Sequence, residues 1–273
     1  MQQHPEFERD EVETRRDVWY CAGMILAIDI GNSTIGFGLI DNSKVTRVFK
    51  VENQPKSDLV RAKLVNFLEY VAARHAITRV IICSVVPDAT KRLRKLLRQH
   101  FVVPIQIVGS HVKVPIRNKY RMPRQVGKDR LVCAFAAREL YGAPSVVIDL
   151  GTAITFDGIS SKGDYLGGAI IPGIRLSTEA LFEKTALLPM VRIEEPDKVI
   201  GRSTQESIQS GIFHGYGALC DGMVDRLGEE MGHELKVVMT GGHAEMMRKF
   251  MKHGGIVVDQ ELIFKGMALL AGL

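Results

Sequence analysis

Two aspartates occupy equivalent places in this chain, each closing an apolar run and each followed two residues later by glycine. Asp29 lies in ILAIDIGNSTIGFGL (residues 25–39) and Asp149 in VVIDLGTAITFDG (residues 146–158), 120 positions further on. The apolar runs are rich in strand-forming residues, and Gly31 and Gly151 allow tight turns. Asn32, Ser33, Thr34 and Thr152 place small polar groups at the tips, and Thr155 adds a hydroxyl on the returning strand. Tips of this kind can present backbone N–H groups to an anion, whereas the neighbouring carboxylates suit a cation or a water. A pair of turn-stabilising aspartates is the competing reading. One such turn alone favours that reading, and its repetition favours the ligand.

A third group is Gly127-Lys128-Asp129-Arg130, at the start of a predicted helix. Asp129 reads either as a first-turn acid stabilised by the helix dipole or as a base for a substrate hydroxyl. In the second case Arg130 would pair with an anionic group on the same substrate. A fourth is Gly201-Arg202-Ser203-Thr204, where Ser203 or Thr204 also reads as a simple helix cap.

Both aspartate turns sit in the same order of elements. Strands over 25–29, 35–41 and 45–51 form a meander, followed by a helix over 57–74 with Ser57 as its cap, a buried strand over 80–85, a basic helix from Asp88 and a short strand over 105–108. A basic, proline-containing loop (117–124) leads to a helix over 128–141, apolar at Leu131, Val132, Phe135, Ala136 and Leu140. The meander then restarts over 146–150, 154–159 and 165–171, with a helix from Ile174. A long helix over 207–230 interrupted by glycines follows, then a strand over 236–240, a Gly241-Gly242 turn, a helix over 244–252, a strand over 256–258 and a terminal helix from Glu261. The pattern is a duplication of whole α/β domains rather than a short repeat, and both turns would face a cleft between the halves.

The bulk composition narrows the chemistry. At 273 residues the chain suits two domains. Four scattered cysteines without a CxxC pair, and histidines without an HExxH motif, argue against zinc and for reduced thiols in the cytoplasm. The net charge of +5 fits a small anionic ligand, and the basic helix around KRLRKLLR reads as a solvated face, so neither nucleic acid nor membrane is an expected partner. No stretch approaches the length of a membrane span. Residues 1–23 are polar and charged and read as a disordered extension, with Met24 as an alternative start. There is no GxxxxGKS/T loop, no GxGxxG after a strand and no HRD or DFG, so the standard phosphate-binding motifs are excluded.

The ordered blocks Asp29-x-Gly31-Asn32-Ser33, Tyr120-x-x-Pro123-x-x-Val126-Gly127-x-Asp129-Arg130, Asp149-x-Gly151-Thr152-Ala153-x-Thr155-x-Asp157, Gly167-Gly168-x-Ile170-x-Pro172-Gly173 and Gly201-x-Ser203-Thr204 together resemble type III pantothenate kinase. The resemblance runs from Met24 to the C-terminus. It implies duplicated ribonuclease-H-like (actin-like ATPase) domains, here 24–140 and 141–273, with ATP in the cleft between them. It further implies phosphorylation of pantothenate to 4′-phosphopantothenate at the start of coenzyme A synthesis, Mg²⁺, a monovalent cation (K⁺ or NH₄⁺) and a homodimer. Carried over by position, Asp29, Ile30, Gly31, Asn32, Ser33, Thr34, Ile35, Gly36 and Thr152 match ATP-contacting positions. Asp149 matches the monovalent-cation ligand and Asp129 the catalytic proton acceptor. Tyr120, Gly127, Lys128, Asp129, Arg130 and Thr204 match pantothenate-binding positions. The alternatives are a sugar kinase of the same superfamily and an ATP-binding regulatory protein, such as a transcriptional accessory factor, without transfer activity. The Gly-Lys-Asp-Arg and Gly-Arg-Ser-Thr blocks argue against the first, and Asp129, Arg130 and Thr204 together argue against the second.

Overall fold

The computed structural model describes residues 23–53 and 57–272, and the extension expected over 1–23 lies, but for Gly23, outside the described residues. β1 (Met24–Ile30), β2 (Thr34–Asp41) and β3 (Lys44–Glu52) form an antiparallel meander. β4 (Ile77–Ser84) pairs parallel with β1, and β5 (Ile105–Ile107) parallel with β4, giving the order β3-β2-β1-β4-β5. β6 (Ser145–Leu150), β7 (Ala153–Ile159) and β8 (Tyr165–Pro172) form a second meander. β9 (Lys236–Thr240) and β10 (Val257–Val258) extend it in parallel, in the order β10-β9-β6-β7-β8. Read from its other edge this is the first sheet again. The duplication expected from the sequence is present in the strand order.

Seven helices complete the described chain: α1 (Asp58–Arg74), α2 (Pro87–His100), α3 (Lys128–Tyr141), α4 (Ile174–Lys184), α5 (Thr204–Met231), α6 (Ala244–Arg248) and α7 (Leu262–Ala271). They sort by the strand alternation. Leu26, Ile28 and Ile30 of β1 join Leu68 and Val71 of α1 and Leu93 and Leu97 of α2 in one core. Val146, Ile148 and Leu150 of β6 join Ile212, Phe213 and Val224 of α5 in another. The opposite faces, represented by Ala27 of β1, Ile81 of β4 and Val147 of β6, meet in a middle layer filled by α3 and α7. Because side chains alternate along a strand, Asp29 shares the face of Ala27, and Asp149 and Asp157 share the faces of Val147 and Ile159. All three carboxylates therefore point towards α3.

α3 departs from the amphipathic reading. Leu131 through Ala137 are buried without interruption, as a helix between two sheets requires, and the expected core residue Leu140 is exposed. The last helix crosses back to the first sheet: the Phe264 ring lies on the flat surface left by Gly36 and Gly38, where a Cβ on Gly38 would come within 2.6 Å of the ring. Any side chain there would displace Phe264, which is buried among α3 and α7 residues.

Two further elements differ from expectation. α5 is one continuous 28-residue helix, not a series broken by glycines. Its Gly217 presses directly on Phe250, so tertiary packing outweighs the poor intrinsic propensity of glycine. The helix expected to continue to residue 252 stops at Arg248. There the Asp221 carboxylate of α5 accepts the backbone N–H groups of Lys252 (2.8 Å) and His253 (3.1 Å), drawing the chain out of helical geometry.

Candidate active site

Asp29 and Asp149 stand at matching places near the ends of β1 and β6, opposite Gly36 and Thr155 on the returning strands. With Asp129 of α3 they line one cavity of about 230 Å³ between the two sheets. Gly31, Asn32, Ser33, Thr34 and Gly36 line it from the first hairpin, and Gly151, Thr152 and Ala153 from the second. The hairpin tips meet directly: Ser33 Oγ lies 2.8 Å from Thr152 Oγ1.

Each tip closes on itself. The Gly31 N–H donates to the Thr34 carbonyl (2.9 Å) and the Gly151 N–H to the Ala153 carbonyl (3.2 Å). These two glycine amides therefore make the turns and do not point at a ligand. Asn53 clamps the first tip from the end of β3, donating its side-chain amide to the Gly31 carbonyl (2.9 Å) and its backbone N–H to the Ser33 carbonyl (2.8 Å). What the tips offer the cavity includes the hydroxyls of Ser33, Thr34 and Thr152.

Asp129 lies in the first turn of α3, just after the capping position Gly127, and its Oδ1 accepts the Arg130 N–H at 2.8 Å. Burial lifts its pKa above the ordinary carboxylate value, and the charge of Asp157 acts in the same direction. The Arg130 N–H and charge pull it back. Burial lifts Asp29 to about 7, helped by the charges of Asp129 and Asp149 and opposed by Lys50. Asp149 is lifted to about 7 by burial, Asp129 and Asp157, again against Lys50. The cleft floor thus carries carboxylates that cannot all ionise cheaply, although no three acidic, histidine or cysteine side chains stand close enough together to hold a metal ion among the described residues. Cys133, one turn along α3 from Asp129, also lines the cavity, and burial with the surrounding acids pushes its thiol far up, so it offers no thiolate.

Arg130 also lines the cavity. Its Nε donates to Asp157 Oδ1 at 2.9 Å, and Nη2 lies 2.7 Å from the same oxygen. Other residues matched from sequence sit elsewhere. Ile30 and Ile35 turn away from the cleft into the apolar core under α1 and α2. Lys128 runs along the loop at Gly109, where a Cβ would fall 2.7 Å from its Cε. Tyr120 packs beside Gly167 of β8, outside the cavity lining but near enough for its charge to act on Arg130. Thr204 is the exposed first residue of α5. The cap of α5 is Ser203, which accepts the Glu206 N–H at 3.2 Å while Glu206 accepts the Arg202 N–H at 2.6 Å.

The cavity also contains residues that sequence reasoning did not single out. Lys50 of β3, opposite Gly36, brings a positive charge to it. Thr240, Gly241 and Gly242 form its wall after β9. Gly241 has φ +91°, and a Cβ there would fall 2.5 Å from Asp149 Oδ1, so the turn approaches this carboxylate as closely as a backbone can. A Gly-Gly pair directly after a buried strand was the available signal.

Two sheets of identical topology, with hairpin tips and carboxylates facing one cleft, define a duplicated α/β protein with the actin-like fold. The same fold is found in a ROK family glucokinase from Streptomyces griseus, solved with glucose and AMPPNP, at TM-score 0.50 and 12% identity over 92% of this chain and 98% of that one. The family model for type III pantothenate kinase matches residues 25–226. Type III pantothenate kinases from Persephonella marina (44% identical, covering 83% of this chain and 90% of the relative) and from Dehalococcoides mccartyi strain 195 (36%, covering 90% and 96%) are similar along most of their length. The chain belongs to the type III pantothenate kinase family.

The raised carboxylates have a stability consequence with a definite sign. Asp29 and Asp149 bind protons more tightly in the folded protein (about 7) than at the ordinary value of 3.8. Folding then takes up protons between these values, so their contribution favours the folded state at low pH and is lost as pH rises towards 7. Asp149→Asn should flatten this decline. Melting temperatures of ligand-free wild type and variant from pH 5 to 8 check it, since the comparison cancels the groups that do not feel Asp149 and the loss of its charge lowers Asp29 in the same direction; parallel curves would contradict the assignment.

Proposed function

We propose that this chain transfers the γ-phosphoryl group of ATP to the primary hydroxyl of pantothenate, forming 4′-phosphopantothenate in the first step of coenzyme A synthesis. The observation that carries this reading is the meeting of Asp129 with both hairpin tips in one cleft, in a chain of this family. Asp129 is the proton acceptor. Its raised proton affinity suits a base, and a carboxylate at a helix N-terminus is held in a fixed place. The tips and Lys50 flank the nucleotide's phosphates, and Arg130 with Gly127 and Tyr120 flanks pantothenate, whose carboxylate matches a guanidinium. Phosphoryl transfer needs chiefly alignment and neutralisation of charge, which are what this arrangement can supply.

Cations complete the reading. The oxygen donors of the cleft fit both Mg²⁺ carried with ATP and a monovalent ion such as K⁺ or NH₄⁺, with Asp149 as ligand of the latter. Bound there, these ions supply counter-charge to the phosphates and to the crowded carboxylates. The protein works as a homodimer in the cytoplasm. Apolar side chains exposed on the second domain support the dimer: Leu166 and Ile170 (59% exposed) on the edge strand β8, and Leu176 and Phe182 (45%) on α4. Thr204, outside the cleft of its own chain, would then serve the site of a second copy. The buried unpaired thiols Cys83, Cys133 and Cys220 suit a reducing compartment.

ATP consumption with and without pantothenate tests the reaction: dependence on pantothenate is expected, and its absence would refute it. Asp129→Asn should lower kcat by about 10²-fold or more while ATP binding, read by calorimetry, persists. Near-normal turnover would remove Asp129 from the role of base. Asp149→Ala should blunt the activation by K⁺ in the same assay, whereas an undiminished potassium response would place the monovalent ion elsewhere. Sedimentation velocity should return about twice the 30.3 kDa chain mass, and Ile170→Asp should shift it to the monomer; a monomeric wild type would end the dimer proposal.

A further inference from the structure

Asp157 carries more hydrogen bonds than an ordinary ion-pair partner needs. It lies on the middle-layer face of β7 and is only 1% exposed. Oδ1 accepts the Arg130 Nε (2.9 Å) and the Tyr165 hydroxyl (2.7 Å), and Oδ2 accepts the Thr155 hydroxyl (2.9 Å). Three donors from α3, β8 and β7 itself therefore fix one buried carboxylate. The guanidinium it holds is less fully used. Nη2 is 2.7 Å from Oδ1 but is buried without an aligned hydrogen-bond acceptor. A contact through Nε and Nη2 uses the side edge of the guanidinium and leaves the end edge, Nη1 with Nη2, whose parallel N–H bonds match a carboxylate.

We propose that Asp157, braced by Tyr165 and Thr155, is a positioning residue that holds Arg130 as the receptor for the carboxylate of the acceptor substrate, and so sets the preference for an alcohol that bears a carboxylate. The inference rests on the reading of Arg130 given under Proposed function. Its physical basis is competition. Arg130 adjoins Asp129 in sequence, and an untethered guanidinium beside a carboxylate would pair with it. Pairing there would occupy the base and withdraw the cation from substrate. Asp157 prevents this by offering a carboxylate already bonded to Tyr165 and Thr155, and its charge offsets that of Arg130 as felt at Asp129. A guanidinium held in advance also binds an anion without the ordering cost that a free arginine side chain carries.

A buried ion pair is weak evidence of stability in itself, so the test must separate positioning from packing. Steady-state kinetics of the full chain would compare wild type, Asp157→Asn, Tyr165→Phe, Arg130→Met and the Asp157→Asn/Arg130→Met double variant. Asp157→Asn should raise KM for pantothenate by about tenfold or more and leave KM for ATP within about twofold. Tyr165→Phe should move it the same way by less. The double variant should be no worse than Arg130→Met, because Asp157 acts through Arg130. Additive losses, or equal rises in both KM values, would reduce Asp157 to a structural residue and overturn the proposal. Should Asp157→Asn fail to fold, Tyr165→Phe against Arg130→Met and their double gives the same cycle. A wild type without pantothenate turnover would strike the proposed function, whereas normal wild-type kinetics with an unmoved pantothenate KM in the variants would strike only the role of Asp157.

Discussion

Asp29, Asp129 and Asp149 share one poorly solvated layer, and the rest of the structure is arranged around that fact. Burial raises the proton affinity of all three, and the charge of Asp129 raises Asp29 and Asp149 further. Coulomb repulsion between such groups grows as water is excluded, so a fold that brings them together must gain elsewhere what it loses here. The gain lies in the same layer: α3 and α7 pack between the sheets with Phe135, Leu262, Phe264 and Met267 fully or nearly fully buried. Apolar burial of this kind contributes about 25 cal/mol per Å², enough over several large side chains to hold a strained polar patch at the rim. Stability and function thus share one layer, and Phe264 belongs to both, since it also lines the cavity.

The strand alternation explains why these residues meet at all. In each sheet the apolar residues of one parity face an outer helix layer, and the other parity faces α3 and α7. A carboxylate near the end of the first strand of each sheet, placed on the inner parity, must face the middle helix from opposite sides. Moving Asp29 by one residue would aim it into the core with Leu26, Ile28 and Ile30. The hairpin tips then follow, because the chain turns immediately after each aspartate. One period-2 pattern, used twice, builds both walls of the cleft.

Much of this was legible in the residues. Buried strands with uninterrupted Val and Ile, Gly-rich turns and their repetition after 120 positions are local signals, and the topology follows from them. Asp129 was legible because it opens a helix beside glycine. Lys50 and Asn53 were not, since a lysine or asparagine near the end of an exposed strand looks the same whatever it touches; only the pairing of β3 with β2 puts Lys50 in the cavity and Asn53 against the Gly31 tip. Gly241 looked like an ordinary turn glycine until the parallel β6–β9 pairing brought it against Asp149. Ile30 and Ile35 show the converse. They lie within a polar, ligand-like block, yet their parity commits both side chains to the core.

Two ties in the middle layer differ greatly in strength. At the mouth, Ser33 and Thr152 share a single hydrogen bond between exposed hydroxyls, worth about 1 kcal/mol net at most. Elsewhere in the layer, Asp259 is buried and accepts both the Tyr141 hydroxyl (2.7 Å) and the Lys265 ammonium (2.9 Å), tying the end of α3 to α7. Separating α3 from α7 there would expose apolar side chains and break a buried polar network together. Separating the tips costs one hydroxyl pair, which water replaces at once. The tie at Asp259 is therefore far more costly to break than the single contact between the tips.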